Sequence, residues 1–171
     1  MTHDKSQAVS IRRYLPTDAP ALASLFRASV RDIASRDYSA SQVRAWASCV
    51  VDEGQFGQTC ESKSTWVAEV EARIAGFSDL EPDGHIDMLY IHPDFQRRGV
   101  ARALLMHVEE AARTSGLRRL YTEASITARP VFEAMGFRTI VPQTVTVQGE
   151  SMTNYRMENR LEPAAMTSRS A

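Results

Sequence analysis

Cysteine is scarce in this chain of 171 residues: Cys49 and Cys60 are the whole complement. They form no CxxC pair and have no suitably spaced histidines, which argues against a zinc site or a disulfide framework and for free thiols in a reducing cytoplasm. No apolar run reaches the roughly 20 residues that cross a bilayer. The start, Met1 to Gln7, is polar and lacks an apolar h-region, so no secretory signal is expected. Net charge is nearly absent as well. Twenty basic against 21 acidic residues leave a formal −1, which gives no whole-chain field for nucleic acid or an anionic membrane. There is no Gly-Lys-Ser/Thr, hence no P-loop, and no GxGxxG dinucleotide fingerprint. What remains is an ordinary globular balance, 43% apolar and 24% charged, with length enough for one well-buried core. The expectation is a soluble cytoplasmic protein with one domain over residues 1–160 and a disordered tail over 161–171.

The pattern changes period along the chain. Val9 to Tyr14 suits a strand. Pro16-Thr17-Asp18 breaks it and offers a cap. Leu22, Leu25, Phe26, Val30 and Ile33 then recur at helical spacing, so a helix is expected over about Ala19 to Ser35. Ser41 can cap a shorter helix carrying Val43, Trp46 and Ala47. Asp52 to Ser64, with Gly54 and Gly57, reads as a loop. Strands are expected over Ser64 to Val70, Ile74 to Leu80 and His85 to Ile91, joined by close turns and therefore antiparallel. Val100, Leu104, Leu105, Val108, Ala111 and Ala112 then form one stripe of a long helix that Gly116 ends. A strand over Leu120 to Ala124, a short helix over about Thr127 to Met135, and strands over Phe137 to Val141 and Ser151 to Glu158 complete the pass.

Chemistry concentrates at Gln96-Arg97-Arg98-Gly99-Val100-Ala101, between a strand and the long helix. The first turn of a helix carries unpaired N–H groups and the positive end of the dipole. Gly99 lets a ligand approach the backbone, and Arg97, Arg98 and Arg102 add positive charge, so the segment reads as a pyrophosphate cradle made mainly of main-chain donors. Taken alone, the hexapeptide reads first as an ordinary helix start with exposed arginines.

Its surroundings decide. The run Leu89-Tyr-Ile-His-Pro-Asp-Phe-Gln-Arg-Arg-Gly-Val-Ala-Arg-Ala-Leu-Leu resembles motif A of the GNAT superfamily of N-acetyltransferases. Ala128-Arg-Pro-Val-Phe-Glu-Ala-Met-Gly-Phe137 resembles the same family's motif B, and the order of elements fits over Val9 to Glu158. The resemblance implies an α/β (α+β) GNAT fold, a central mixed, mostly antiparallel sheet of about seven strands flanked by about four helices. It implies acetyl-CoA as co-substrate and no metal. The backbone of Leu89, Tyr90 and Ile91 would meet the pantetheine arm at a strand bulge, and the backbone from Arg97 to Arg102 would hold the pyrophosphate. Gln96 matches the first motif position. Ser125 stands where the family often has an Asn, and Ala128 where a small residue lets the arm pass. Phe132 replaces a motif B tyrosine that in many members protonates the departing thiolate, so that role is vacant or moved.

An acceptor amine must be neutral to attack a thioester. A lysine-like amine lies about three units above neutrality, so neutralising it costs roughly 4 kcal/mol. His85 and Asp87 lie two apart on one expected strand and so on one face; they are the candidates for taking or relaying the proton. Tyr155, and more loosely Tyr121, are candidates for a relocated acid. His92 and His107 read as structural and solvated. Asp37-Tyr38-Ser39 lies where the family shapes its acceptor site, and Trp46 reads first as core. The function so implied is acetyl transfer to a primary amine of a small molecule, peptide or protein by direct attack; Cys49 and Cys60 lie far from motif A in sequence, which disfavours a ping-pong route. The alternative is an acyl-CoA-binding sensor or interaction module of weak activity. No nucleic-acid or membrane partner is expected; a homodimer through the late strands fits the family.

Overall fold

A computed structural model describes residues 8–163. Residues 1–7 and most of the tail expected over 161–171 lie outside the described residues.

Strand β1 (Val9–Arg13) enters from the amino-terminal side. Its Arg12 forks onto the Asp18 carboxylate at 2.7 and 3.0 Å. Asp18 is the N-cap residue of helix α1 (Ala19–Asp32), as expected, but its side chain accepts from Leu15 N and so fixes the turn instead of bonding the helix's own N–H groups. Helix α2 (Ala40–Ala47) begins two residues earlier than Ser41 would set it. Ser39 is the cap: its hydroxyl accepts from Gln42 N and the Gln42 side chain reaches back to Ser39 N, a closed capping box. The loop expected over Asp52 to Ser64 is mostly helix, α3 (Glu53–Glu61). Asp52 caps it by accepting from Gln55 N at 2.7 Å. Gly57 is no breaker there: an added Cβ would come within 3.1 Å of Ala19 Cβ, so the glycine lets α3 lie close to the start of α1. Phe56 and Cys60 are buried from the same helix.

Strands β2 (Ser64–Val70) and β3 (Arg73–Leu80) form the expected antiparallel hairpin. The strand expected over His85 to Ile91 is divided. Its first part, β4 (His85–Ile86), runs parallel to β6 (Arg119–Ser125); its second, β5 (Leu89–Ile91), runs antiparallel to β3. Helix α4 (Val100–Thr114) follows, with Gly116 at φ +78 closing it. Helix α5 (Arg129–Ala134) leads into the long hairpin of β7 (Arg138–Val147) and β8 (Glu150–Arg160). In place of one sheet of about seven strands, the described residues form eight strands in two four-stranded sheets, ordered β1-β2-β3-β5 and β4-β6-β8-β7. One core packs α4 against the first sheet and α5 against the second around Leu104, Val108, Leu120 and Phe137. The other lies under α1, α2 and α3 around Leu22, Val30, Val67 and Phe77.

The break between β4 and β5 has a definite cause. Asp79, fully buried on β3, accepts hydrogen bonds from the N–H groups of both Asp87 and Met88 at 2.9 Å. Ser78 donates to Met88 O and Thr122 to Ile86 O. Side chains thus satisfy backbone groups that a continuous ladder would otherwise need, and the two sheets part along a cleft.

Candidate active site

One end of the cleft is the start of α4. His92 accepts from Asp94 N and caps the short turn Pro93–Phe95, the structural part expected of it. The chain then passes through two left-handed residues, Arg97 at φ +60 and Gly99 at φ +76. Gly99 is the N-cap and brings no side chain to the helix start. The first intrahelical bond here runs from Ala103 N to Gly99 O, so the N–H groups of Val100, Ala101 and Arg102 have no partner within the helix. A Cβ on Gly99 would meet no atom within 4 Å. The result is an open nest of main-chain donors at a helix dipole's positive end. Gly99 is required there by its backbone angle as well as by the clearance it gives. Arg97, Arg98 and Arg102 are exposed around it, with Arg98 lying over the Phe95 ring at 5.3 Å, and Gln96 donates back to Pro93 O.

From Ala101 the cleft runs between β5 and β6 to α1, with about 730 Å³ of empty volume including its open mouth. Leu89, Tyr90 and Ile91 line one side, Thr122 to Ser125 the other, and Ala128, Val131 and Phe132 the α5 end. β5 is an edge strand, so its free edge faces the gap. Ser125 Oγ accepts from Ala128 N at 3.0 Å and sets the turn into α5. Phe132 is buried, edge-on to Phe137. Tyr155 is not among the lining residues. It pairs with Ala124, shares that residue's core-facing side, and lies under the Arg129 guanidinium at 4.3 Å; Glu123 and Ser125 alternate to the other side. The structure therefore does not bring Tyr155 to Asp87. Tyr121 is held by the Asp83 carboxylate and stacked on His85.

Beyond β5 the cleft widens toward the helices. Asp87, Trp46 and Tyr90 line it, with Glu123, Tyr38, Met152 and Asn154 on the far wall. Trp46 meets Tyr38 edge-on at 5.5 Å and Tyr90 at 6.4 Å, so it walls the cleft as well as filling the core. Tyr38 closes that wall: its hydroxyl donates to Thr153 O at 2.6 Å and accepts from Ile126 N at 2.9 Å. Asp37 accepts from Thr127, and the turn between α1 and α2 is thereby tied to the loop before α5. Burial pushes the Tyr90 phenol up, opposed by its hydrogen bond with Trp46, so the hydroxyl keeps its proton. Cys49, distant in sequence, lines an adjoining pocket that shares Trp46, Asp87 and Tyr90 with the cleft. The fold brings it nearer the cleft than its distance from motif A in sequence suggests. Burial raises its thiol pKa, and its Sγ contacts Ala45 O rather than a base.

Charge in the cleft is organised by residues that the sequence did not single out. Lys63 reaches Asp87 at 2.5 Å, Glu81 at 2.8 Å and buried Asp79 at 3.3 Å. Burial opposes its charge, but the carboxylates outweigh that and raise its pKa. Burial lifts the Asp79 carboxyl to about 6. His85 lies between Glu81, 2.9 Å from Nδ1, and Glu123, 2.6 Å from Nε2. Burial works against its protonation, yet the two carboxylates prevail and raise its pKa. A doubly bonded imidazolium is a poor proton acceptor. The pair expected on one strand face is instead parted by the strand break, with His85 behind Glu123 and Asp87 beside Lys63. Glu123 takes the place on the cleft that His85 was expected to hold. Alternation along β6 offered a weak signal for it, whereas no local pattern marks Lys63 or Asp79.

An acetyltransferase (GNAT) domain model matches residues 34–159. The uncharacterized N-acetyltransferase YafP of Escherichia coli (strain K12) is 38% identical over 150 residues, 87% of this chain and 94% of that protein. A crystal structure of a GCN5-related N-acetyltransferase from Rhodopseudomonas palustris superposes with a TM-score of 0.88 at 35% identity, covering 94% of this chain and all of that one. YncA of Salmonella typhimurium, a putative acetyltransferase solved with acetyl-CoA, shares the fold at TM-score 0.70 and 16% identity, covering 95% of this chain and 99% of that one. No helix among the described residues is long and apolar enough to cross a membrane.

Proposed function

The chain belongs to the GNAT acetyltransferase family, and on that premise we propose that it moves an acetyl group from acetyl-CoA to a primary amine by direct attack of the amine on the thioester. The observation that carries this reading is the free edge of β5, which opens onto a cleft running from the α4 nest to two carboxylates. The donors fit the co-substrate's anion: unpaired N–H groups, a left-handed glycine, and clearance where any other side chain would stand. Backbone from Arg97 to Arg102 would hold the pyrophosphate. The edge of Leu89, Tyr90 and Ile91 would bind the pantetheine arm, and a main-chain N–H there would polarise the thioester carbonyl. Ser125, Ala128 and Phe132 shape the passage for the arm.

The acceptor's ammonium would lie at Asp87 and Glu123, which draw it in and take up its proton directly or through water. The roughly 4 kcal/mol that deprotonation costs is what this pair has to offset. His85 and Lys63 are positioning residues; each holds one of the carboxylates by a charged hydrogen bond. Phe132 cannot supply the departing thiolate with a proton. Tyr90, whose hydroxyl is protonated and lines the cleft, takes that part in our reading.

The test is acetyl-CoA thiol release with and without amine, together with the intact mass of the enzyme after acetyl-CoA alone. Amine-dependent release, reduced at least tenfold in Glu123→Gln and in Asp87→Asn, is expected, with no acetylated enzyme before amine is added. An acetylated Cys49 would overturn direct attack, and no release with any amine would return the chain to acyl-CoA sensing.

A further inference from the structure

Resting on the acetyl-transfer reading, we propose that Glu81, outside the cleft, is a positioning residue for the transfer. By bonding Lys63 and His85 at once, it fixes the spacing of Asp87 and Glu123 where the two sheets part. The observation that carries this is one unbroken chain of ion pairs. Asp87 Oδ2 lies 2.5 Å from Lys63 Nζ, which lies 2.8 Å from Glu81 Oε1. Glu81 Oε2 lies 2.9 Å from His85 Nδ1, and His85 Nε2 lies 2.6 Å from Glu123 Oε2. Asp87 and Glu123 line the cleft, whereas Lys63, Glu81 and His85 are not among its lining residues.

The ends of this chain need such a link. Pairing of β4 with β6 stops at Ile86 and Thr122, one residue short of Asp87 and Glu123, so no ladder bond sets the distance between the two carboxylates. Side chains have to set it, and Glu81 is the group that both cations share. Its own place is firm: its N–H donates to His85 O at 2.8 Å and its carbonyl accepts from Gly84 N at 3.0 Å.

Glu81 also supports the charge of His85. Burial works against the imidazolium, and Glu123 and Glu81 outweigh it. The other groups beside the ring are Tyr121, stacked on it from β6 with Arg119 over its far side of the pair, and Asp83, which accepts from His85 N and from the Tyr121 hydroxyl. Neither bonds a ring nitrogen. A neutral imidazole donates to one carboxylate only, whereas the imidazolium serves both. Because the His85 pKa is raised, the charge is present at low pH and lost as pH rises through the raised value. Without Glu81, burial has one opponent fewer, and the charge goes at a lower pH.

Glu81→Gln tests this. The amide keeps the size, but one end accepts and the other donates, so it can receive Lys63 or His85 and not both. We compare kcat/KM in variant and wild type from about pH 5 to 9, using the fastest acceptor among phenethylamine, spermidine and glycinamide. The variant-to-wild-type ratio should fall about tenfold where wild type alone keeps the imidazolium, the scale of one hydrogen bond to a charged group, and recover above that window. KM for acetyl-CoA should stay unchanged, since the α4 nest is untouched. In NMR titrations His85, identified by the signal missing from His85→Gln, should give up its proton at lower pH in Glu81→Gln. On a His85→Gln background, adding Glu81→Gln should give a ratio that does not vary with pH. A retained thermal shift with acetyl-CoA shows the variants to be folded. If Glu81→Gln does not fold, Glu81→Asp, one methylene too short to span both cations, should show the same trough in shallower form. A ratio independent of pH, an unchanged His85 titration, or a rise in KM for acetyl-CoA that matches the loss would overturn the role of Glu81. No thiol release by wild type with any of the three amines would instead overturn the acetyl-transfer reading beneath it.

Discussion

Replacing Asp79 by asparagine should change how stability depends on pH. The Asp79 side chain is fully buried, its Oδ1 accepting from two backbone N–H groups and its Oδ2 lying 3.3 Å from Lys63 Nζ. Burial is the largest influence and lifts the carboxyl from 3.8 to about 6, against the backbone donors and Lys63, which pull it down. The folded protein therefore keeps this proton up to about pH 6, whereas the unfolded chain releases it near 4. Between those values the folded state binds more protons, so stability falls as pH rises. The two units correspond to about 3 kcal/mol lost by pH 7 relative to pH 4. Asparagine keeps an acceptor for the two N–H groups and cannot ionise, and Lys63 retains Glu81 and Asp87. Urea unfolding followed by circular dichroism at pH 4, 5, 6 and 7 should show the wild type losing roughly 3 kcal/mol relative to Asp79→Asn across that window. A difference that is constant with pH, or one in which wild type gains on the variant as pH rises, would refute the reasoning.

Two glycines give sharper tests of the cofactor side. Gly99→Ala meets no atom within 4 Å, so its whole stability cost is the φ of +76, about 1–2 kcal/mol, or about 2–8 °C in melting temperature for a domain of this size. The stabilisation by acetyl-CoA, roughly 2.7 kcal/mol at 100 times its dissociation constant, should shrink as well; a variant that melts earlier but keeps the full shift would remove the nest from the site. Gly76→Ala acts from below: its Cβ would lie 2.9 Å from Tyr90 O and 3.1 Å from Val100 Cγ1. Overpacking of this kind costs about 1–3 kcal/mol. Because β5 is what must move, KM for acetyl-CoA should rise too, and wild-type melting and KM together would show that the contact is not limiting.

How far the sequence could be read follows from where each interaction partner lies. The start of α4 was legible because its signal is local: a glycine before an amphipathic helix is complete within a few residues, whatever the rest of the chain does. The helices α1 and α4 were legible from one apolar stripe each. Helix α3 was not, since Gly54 and Gly57 look like breakers until Gly57 is seen against Ala19, 38 positions earlier in the chain. The division of β4 from β5 was hidden for the same reason: Asp79 caps a break in a different strand, and nothing in His85 to Ile91 announces it.

The catalytic guess followed that division. With one continuous strand, His85 and Asp87 would share a face; with the break, they meet different partners, and the group at the cleft becomes Glu123. It lies 38 positions beyond the histidine it holds, as Asp87 lies 24 beyond its lysine. A charge at the end of a long side chain is paired by the fold and not by its neighbours in sequence. In a family whose cofactor grip is mostly backbone, the co-substrate is therefore written in short motifs, while the acceptor and the proton path are written in contacts between distant elements.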